Sequence, residues 1–130
     1  MGFVSSLSFF CAKDGLAESE RFYGGTLGLD VAFRTPTAVL FRVTDTAFFG
    51  ITAGPGRVAK EGAAIVDFVV ESADEVHAWH KKITDDGWET DGPPKHADLG
   101  ATLFFATDPN GYLVEILHFD DPDALTRTIA

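Results

Sequence analysis

The chain has one cysteine, Cys11, so it can form no internal disulfide, and its thiol content does not point to an oxidising compartment. Basic residues are scarce: 10 Lys and Arg stand against 20 Asp and Glu, a net charge of -10. A phosphate backbone is bound by clustered cations, so no nucleic-acid partner is expected. No apolar run approaches the roughly 20 residues that a membrane helix needs, and no membrane partner is expected either. The first residues lack the basic region and apolar stretch of a signal peptide, which makes a cytoplasmic location the expectation. No Ser-His-Asp spacing, phosphate-cradling glycine loop or dinucleotide fingerprint occurs.

What is present is a core. At 130 residues and 45% hydrophobic content, the chain suits a single domain, residues 1–130, with a sizeable buried interior. Twelve phenylalanines exceed what a core of this size requires and suit a pocket for a flat ligand as well. The acidic balance serves solubility, and it would also attract a cationic small molecule.

The order of segments repeats. A strand at Val4–Cys11 precedes a helix at 16–26, with Asp14 as its expected N-cap and Gly24, Gly25 and Gly28 at its end. Three short strands follow, at 30–34, 38–43 and 47–52, separated by turn-prone residues. Residues 53–62 read as a linker between a first module, 1–52, and a second, 63–118, with a tail at 119–130. The second module begins with a strand at 63–71. Ser72 and Glu75 then form a capping box for a helix ending at Gly87. Strands are expected at 88–90, 101–107 and 112–118, with a polar loop at 92–100 and a short helix after Pro122. The fold class is therefore α+β: two βαβββ modules forming a concave, partly open, barrel-like mixed sheet with the helices outside.

Asp108-Pro109-Asn110-Gly111 is a turn with a mechanism: Pro109 presets φ, the Asp108 side chain bonds the backbone ahead of it, and Gly111 supplies positive φ. On the strand after it, Glu115 lies among Leu113, Val114, Ile116 and Leu117. A carboxylate there is costly unless it faces something polar. Alternation puts Leu113, Glu115 and Leu117 on one face, and Asp67 with Val69 on one face of the second module's first strand. Two carboxylates meeting in an apolar setting would raise one pKa or bind a cation.

Three segments resemble the glyoxalase, bleomycin-resistance protein and extradiol dioxygenase superfamily, also called vicinal oxygen chelate proteins. They are Phe22-Tyr23 through Leu27-Gly28, Glu71-Ser72-Ala73-Asp74 with its helix, and the Asp108-Pro109-Asn110-Gly111 to Glu115 close. The resemblance implies a divalent metal held by His, Glu or Gln on the first and last strands of each module. Here those places offer only serines near Ser6–Ser8, no carboxylate or imidazole in Ala47–Thr52, Asp67, and Glu115. A catalytic metal commonly takes about three protein ligands, imidazole among them, so no metal and no other cofactor are expected.

The candidate ligand-binding residues are Glu115, Asp67, Phe41, Phe49, Phe104 and His96; no residue is assigned a catalytic role. Glu115 and Asp67 would anchor polar groups, and His96 would overhang the pocket from its loop. Within Phe48/Phe49 and Phe104/Phe105 one ring of each pair must face the pocket, and the sequence leaves either choice open. The function expected is that of a bleomycin-resistance-like protein sequestering an aromatic, cationic small-molecule ligand, and the resemblance implies a homodimer. The alternative is a lyase or isomerase of glyoxalase or dioxygenase type, using a divalent metal or Glu115 as acid and base.

Overall fold

In each half of the chain, two hairpins bring the last strand back to lie parallel to the first. The computed structural model describes residues 2, 4–54, 59–98 and 100–126. The first half contains β1 (Ser5–Phe10), α1 (Leu16–Glu20) running into a π-helical segment (Arg21–Thr26), β2 (Asp30–Thr35), β3 (Ala38–Arg42) and β4 (Ala47–Thr52). The second contains β5 (Ile65–Val69), α2 (Ala73–Asp85), β6 (Lys95–Ala97), β7 (Ala101–Thr107) and β8 (Leu113–Phe119). The strand orders are β1-β4-β3-β2 and β5-β8-β7-β6, so the two mixed sheets share one topology in an α+β fold. The contacts divide the chain into two units, Met1–Ala64 with Asp108–Tyr112, and Ile65–Thr107 with Leu113–Ala130.

In the first unit, one sheet face is covered by the helical residues. Phe41, Phe49 and Ile51 point to this side and are buried with Phe22 and Tyr23. The Tyr23 ring centroid lies 4.6 Å from Phe49 and 5.8 Å from Phe41. The helix starts differently from expectation. Gly15, not Asp14, is the N-cap and makes no side-chain cap bond, and the helix changes to π geometry at Arg21.

The Asp108–Tyr112 turn packs in this unit and is held by buried polar bonds. Asp108 Oδ1 accepts from the backbone N–H of Asn110 at 2.8 Å and of Tyr112 at 2.9 Å, while the Tyr23 hydroxyl donates to Oδ2 at 2.6 Å. Burial pushes the Asp108 carboxyl up and these donors pull it back. Gly111 has φ 85°, and a Cβ there would come within 3.0 Å of the Glu61 backbone. Glycine is the residue that satisfies both demands.

In the second unit the capping box forms. Ser72 Oγ accepts from the Glu75 N–H at 3.1 Å, and Glu75 returns a bond to the Glu71 N–H rather than to Ser72. Helix α2 packs on β7 and β8 through its own Val76 and Ile83, both fully buried. The expected strand at 88–90 is only a bridge, Thr90 to Ala106. The edge strand is instead β6, within the segment expected to be loop; its three residues are too few to show a period. The tail is a series of turns through Thr126, not a helix; residues 127–130 and the linker residues 55–58 lie outside those described.

Candidate functional site

The parallel pairing of β5 with β8 sets the register that makes the site. Asp67 is the direct partner of Glu115, and Glu115 is the direct partner of Phe105 on β7. Partners on neighbouring strands point to the same side, so Asp67, Glu115 and Phe105 form one row across the sheet. That row lies on the face away from α2. The face under α2 takes Val114, Ile116, Phe104 and Ala106, all buried. Beside the row, Leu103 and Leu117 are buried with Ala101 in an apolar cluster that includes Phe105 and Phe119.

The two carboxyl groups are direct cross-strand neighbours, close enough to act on each other. Glu115 is half-buried and Asp67 exposed. Burial in this apolar row, and then the hydrogen bond and negative charge of Asp67, push the Glu115 carboxyl up to about 7. A protonated Glu115 can donate to Asp67, leaving a pair with one proton and one negative charge.

The first unit carries the matching row, and it is empty of acids. Ser8 of β1 partners Gly50 of β4, which partners Leu40 of β3. These are the positions that Asp67, Glu115 and Phe105 hold in the second unit. The Ser8 hydroxyl lies over Gly50 so closely that a Cβ there would stand 2.6 Å from Oγ and 3.1 Å from a Leu40 methyl.

The structure does not gather all six expected ligand-binding residues. Asp67 and Glu115 are together. Phe41 and Phe49 are on the helix-covered face of the first sheet, packed against Tyr23. Phe104 is fully buried beneath α2, where the His80 ring meets it edge-on at 5.1 Å. These three rings are core, because alternation assigns them to the sides that the helices cover. Within the pairs Phe48/Phe49 and Phe104/Phe105, the rings on the helix-free faces are Phe48 and Phe105. His96 does not overhang the acid pair. It sits on β6 opposite Thr102, on the reverse face from Glu115, bonded to Asp120 at 2.6 Å. His118 is on that reverse face too, bonded to the Val70 carbonyl.

The signal that separates Phe105 from the expected Phe104 lies in the turn. With Thr107 and Leu113 closing the hairpin, counting back two residues on one strand and forward two on the other puts Phe105 against Glu115. Ser8, Gly50 and Leu40 carry no such marker, since none is charged or aromatic.

The donors do not suit a tight catalytic metal. Among the described residues, no group of three or more His, Cys, Asp or Glu side chains comes together. The acid pair supplies two carboxylates and no imidazole, short of the three protein ligands of catalytic zinc sites.

A family model described as the Glyoxalase/Bleomycin resistance protein/Dioxygenase superfamily matches residues 9–116. The chain belongs to this superfamily. No curated protein sequence matches it significantly. Solved structures share its fold. A glyoxalase-related enzyme from Fulvimarina pelagi has a TM-score of 0.75 at 19% identity, over 91% of this chain and 88% of that one. A glyoxalase/bleomycin resistance protein/dioxygenase from Nocardioides has a TM-score of 0.75 at 18% identity, over 99% and 91%. A lactoylglutathione lyase from Agrobacterium tumefaciens has a TM-score of 0.73 at 17% identity, over 91% and 94%.

The acid pair has a consequence for stability. Glu115 binds its proton more tightly when folded, near pH 7, than when unfolded, near 4.5. The stabilisation is present below the unfolded value and lost as pH rises through the folded one. Between about pH 5 and about pH 8 the protein should lose on the order of 1 kcal/mol that Glu115→Gln keeps, a figure reduced for partial exposure. Urea denaturation of both at each pH checks this. Identical pH slopes would contradict a shared proton.

Proposed function

We propose that this is a small-molecule binding protein of the bleomycin-resistance kind, working in the cytoplasm without a metal. It sequesters an aromatic, cationic ligand on the helix-free face of the second sheet. The observation that carries the reading is the Asp67–Glu115 pair set beside Phe105 on an apolar floor. An amine or amidinium placed over the pair replaces the shared proton as the group that neutralises two adjacent carboxylates. Phe105 offers its ring to the ligand's flat part and to its positive charge. Below pH 7 such binding must expel the Glu115 proton, so affinity rises with pH until that proton is gone.

Benzamidine and its neutral analogue benzamide discriminate the charge requirement. Benzamidine should bind at least about tenfold more tightly, the worth of a charge-assisted hydrogen bond. The double variant Asp67→Asn, Glu115→Gln should erase that preference in a fluorescence titration. An unchanged preference in the variant would remove the anchoring role.

A second reading rests on Glu115 itself. A carboxyl pushed up to about 7 is poised to give and take a proton near neutrality, as a lyase or isomerase requires. The metal question separates the readings further. Protein purified without chelator should contain no stoichiometric divalent metal by elemental analysis. A stoichiometric metal that disappears in Glu115→Ala would overturn the metal-free assignment.

A homodimer is part of the proposal. Apolar side chains stand exposed on strands at the sheet edges, with Leu7 64%, Phe33 59% and Ile65 54% accessible. An unpaired strand edge with exposed apolar side chains is a template for pairing with another chain. Light scattering should give twice the 14.0 kDa chain mass; a monomer at micromolar concentration would exclude the dimer.

A further inference from the structure

The chain holds one side-chain amide in 130 residues: Asn110 is the only asparagine, and there is no glutamine. Asn110 is followed by Gly111, the neighbour that least obstructs attack by its own backbone nitrogen on the amide carbon, since glycine has no Cβ. Neither residue is free to change. Gly111 has φ 85°, and a Cβ there would come within 3.0 Å of the Glu61 backbone. Asn110 Nδ2 donates to Oγ of the fully buried Ser19 at 2.9 Å. The same bonds restrain both reacting atoms. The amide carbon is held through Ser19, and the amide oxygen packs so closely on Gly15 that a Cβ there would stand 3.3 Å from it. The Gly111 N–H is held by the Asp108 carbonyl at 3.1 Å. Asp108 is itself fixed by the Tyr23 hydroxyl, which donates to Oδ2.

We propose that Asn110 is a covalent modification site, deamidating through a succinimide when the turn opens and protected by the Ser19 and Asp108 bonds while it is closed. In the reaction the Gly111 nitrogen gives up its proton and bonds to Cγ of Asn110. The Cγ–Nδ2 bond breaks, and Nδ2 leaves as ammonia with that proton. Water then opens the ring at one of its two carbonyls and returns a proton to the Gly111 nitrogen. Attack on the side-chain carbonyl gives aspartate; attack on the backbone carbonyl gives isoaspartate, whose main chain is longer by one carbon. No oxidation state changes, and water is the sole co-reactant. Each product exchanges an amide for a carboxylate beside the buried Asp108 carboxyl, where like charges repel. The longer main chain also parts the Asn110 and Tyr112 N–H groups that Asp108 Oδ1 gathers. The turn therefore recloses poorly once modified, and the change is one-way. It falls on the turn joining β7 and β8, the strands that align Phe105 with Glu115.

The test is to hold the intact protein in mildly alkaline buffer, with and without urea, and follow ammonia release and the mass gain of amide-to-acid conversion. Both readouts belong to Asn110, since no other side chain carries an amide. The folded protein should react at least about tenfold more slowly than the unfolded, because two hydrogen bonds must open first. Ser19→Ala should speed the folded-state reaction several-fold, with amide spectra reporting that the variant folds. Ile83→Val, which loosens the core under α2, should not speed it. Equal rates in the folded and unfolded protein would overturn the protection by these bonds. So would an acceleration as large in Ile83→Val as in Ser19→Ala. Neither ammonia nor mass gain, even in urea, would overturn the site itself.

Discussion

A β-strand shows its side chains alternately to two faces, and a helix can cover only one. Everything notable in this molecule follows from that constraint applied twice. On the covered side the rings of Phe41, Phe49 and Phe104 become core. On the uncovered side their immediate neighbours Phe48 and Phe105 are left beside polar groups. Closing each sheet with a parallel first-to-last pair then brings side chains 48 residues apart, such as Asp67 and Glu115, into register. No local propensity places them together; the sheet order does.

The energetic cost of that juxtaposition falls on one proton. Two carboxylates side by side repel, and the apolar surroundings remove the solvent that would screen them. Sharing a proton is the least costly state in the absence of a ligand. A ligand that brings its own positive charge changes which state is cheapest. The pair is therefore both a source of instability at alkaline pH and a source of selectivity.

The turn chemistry, the capping box and the repeated segment order were visible in the sequence because each depends on residues close together in the chain. Ser72 with Glu75 and Asp108 with Gly111 are such cases, and the structure bonds them nearly as their spacing requires. Choosing between Phe48 and Phe49, or Phe104 and Phe105, was harder. Both neighbours are equally apolar, so no polarity difference marks the covered side. His96 misled for another reason. A three-residue edge strand inside a polar stretch has too little pattern to be distinguished from loop, and one residue of register decides which face a side chain takes. The serine–glycine row was invisible because its significance lies in what Gly50 does not carry.

That absent side chain also constrains the chain's history of substitution. Position 50 is where a second glutamate would stand if both sheets bore the same site. Ser8 already occupies the space above it, at a distance that no Cβ tolerates. A carboxylate could enter at position 50 only after the residue at position 8 had shrunk or turned away. The two positions are thus sterically coupled: a side chain at 50 requires the Ser8 hydroxyl to take another rotamer or to be absent.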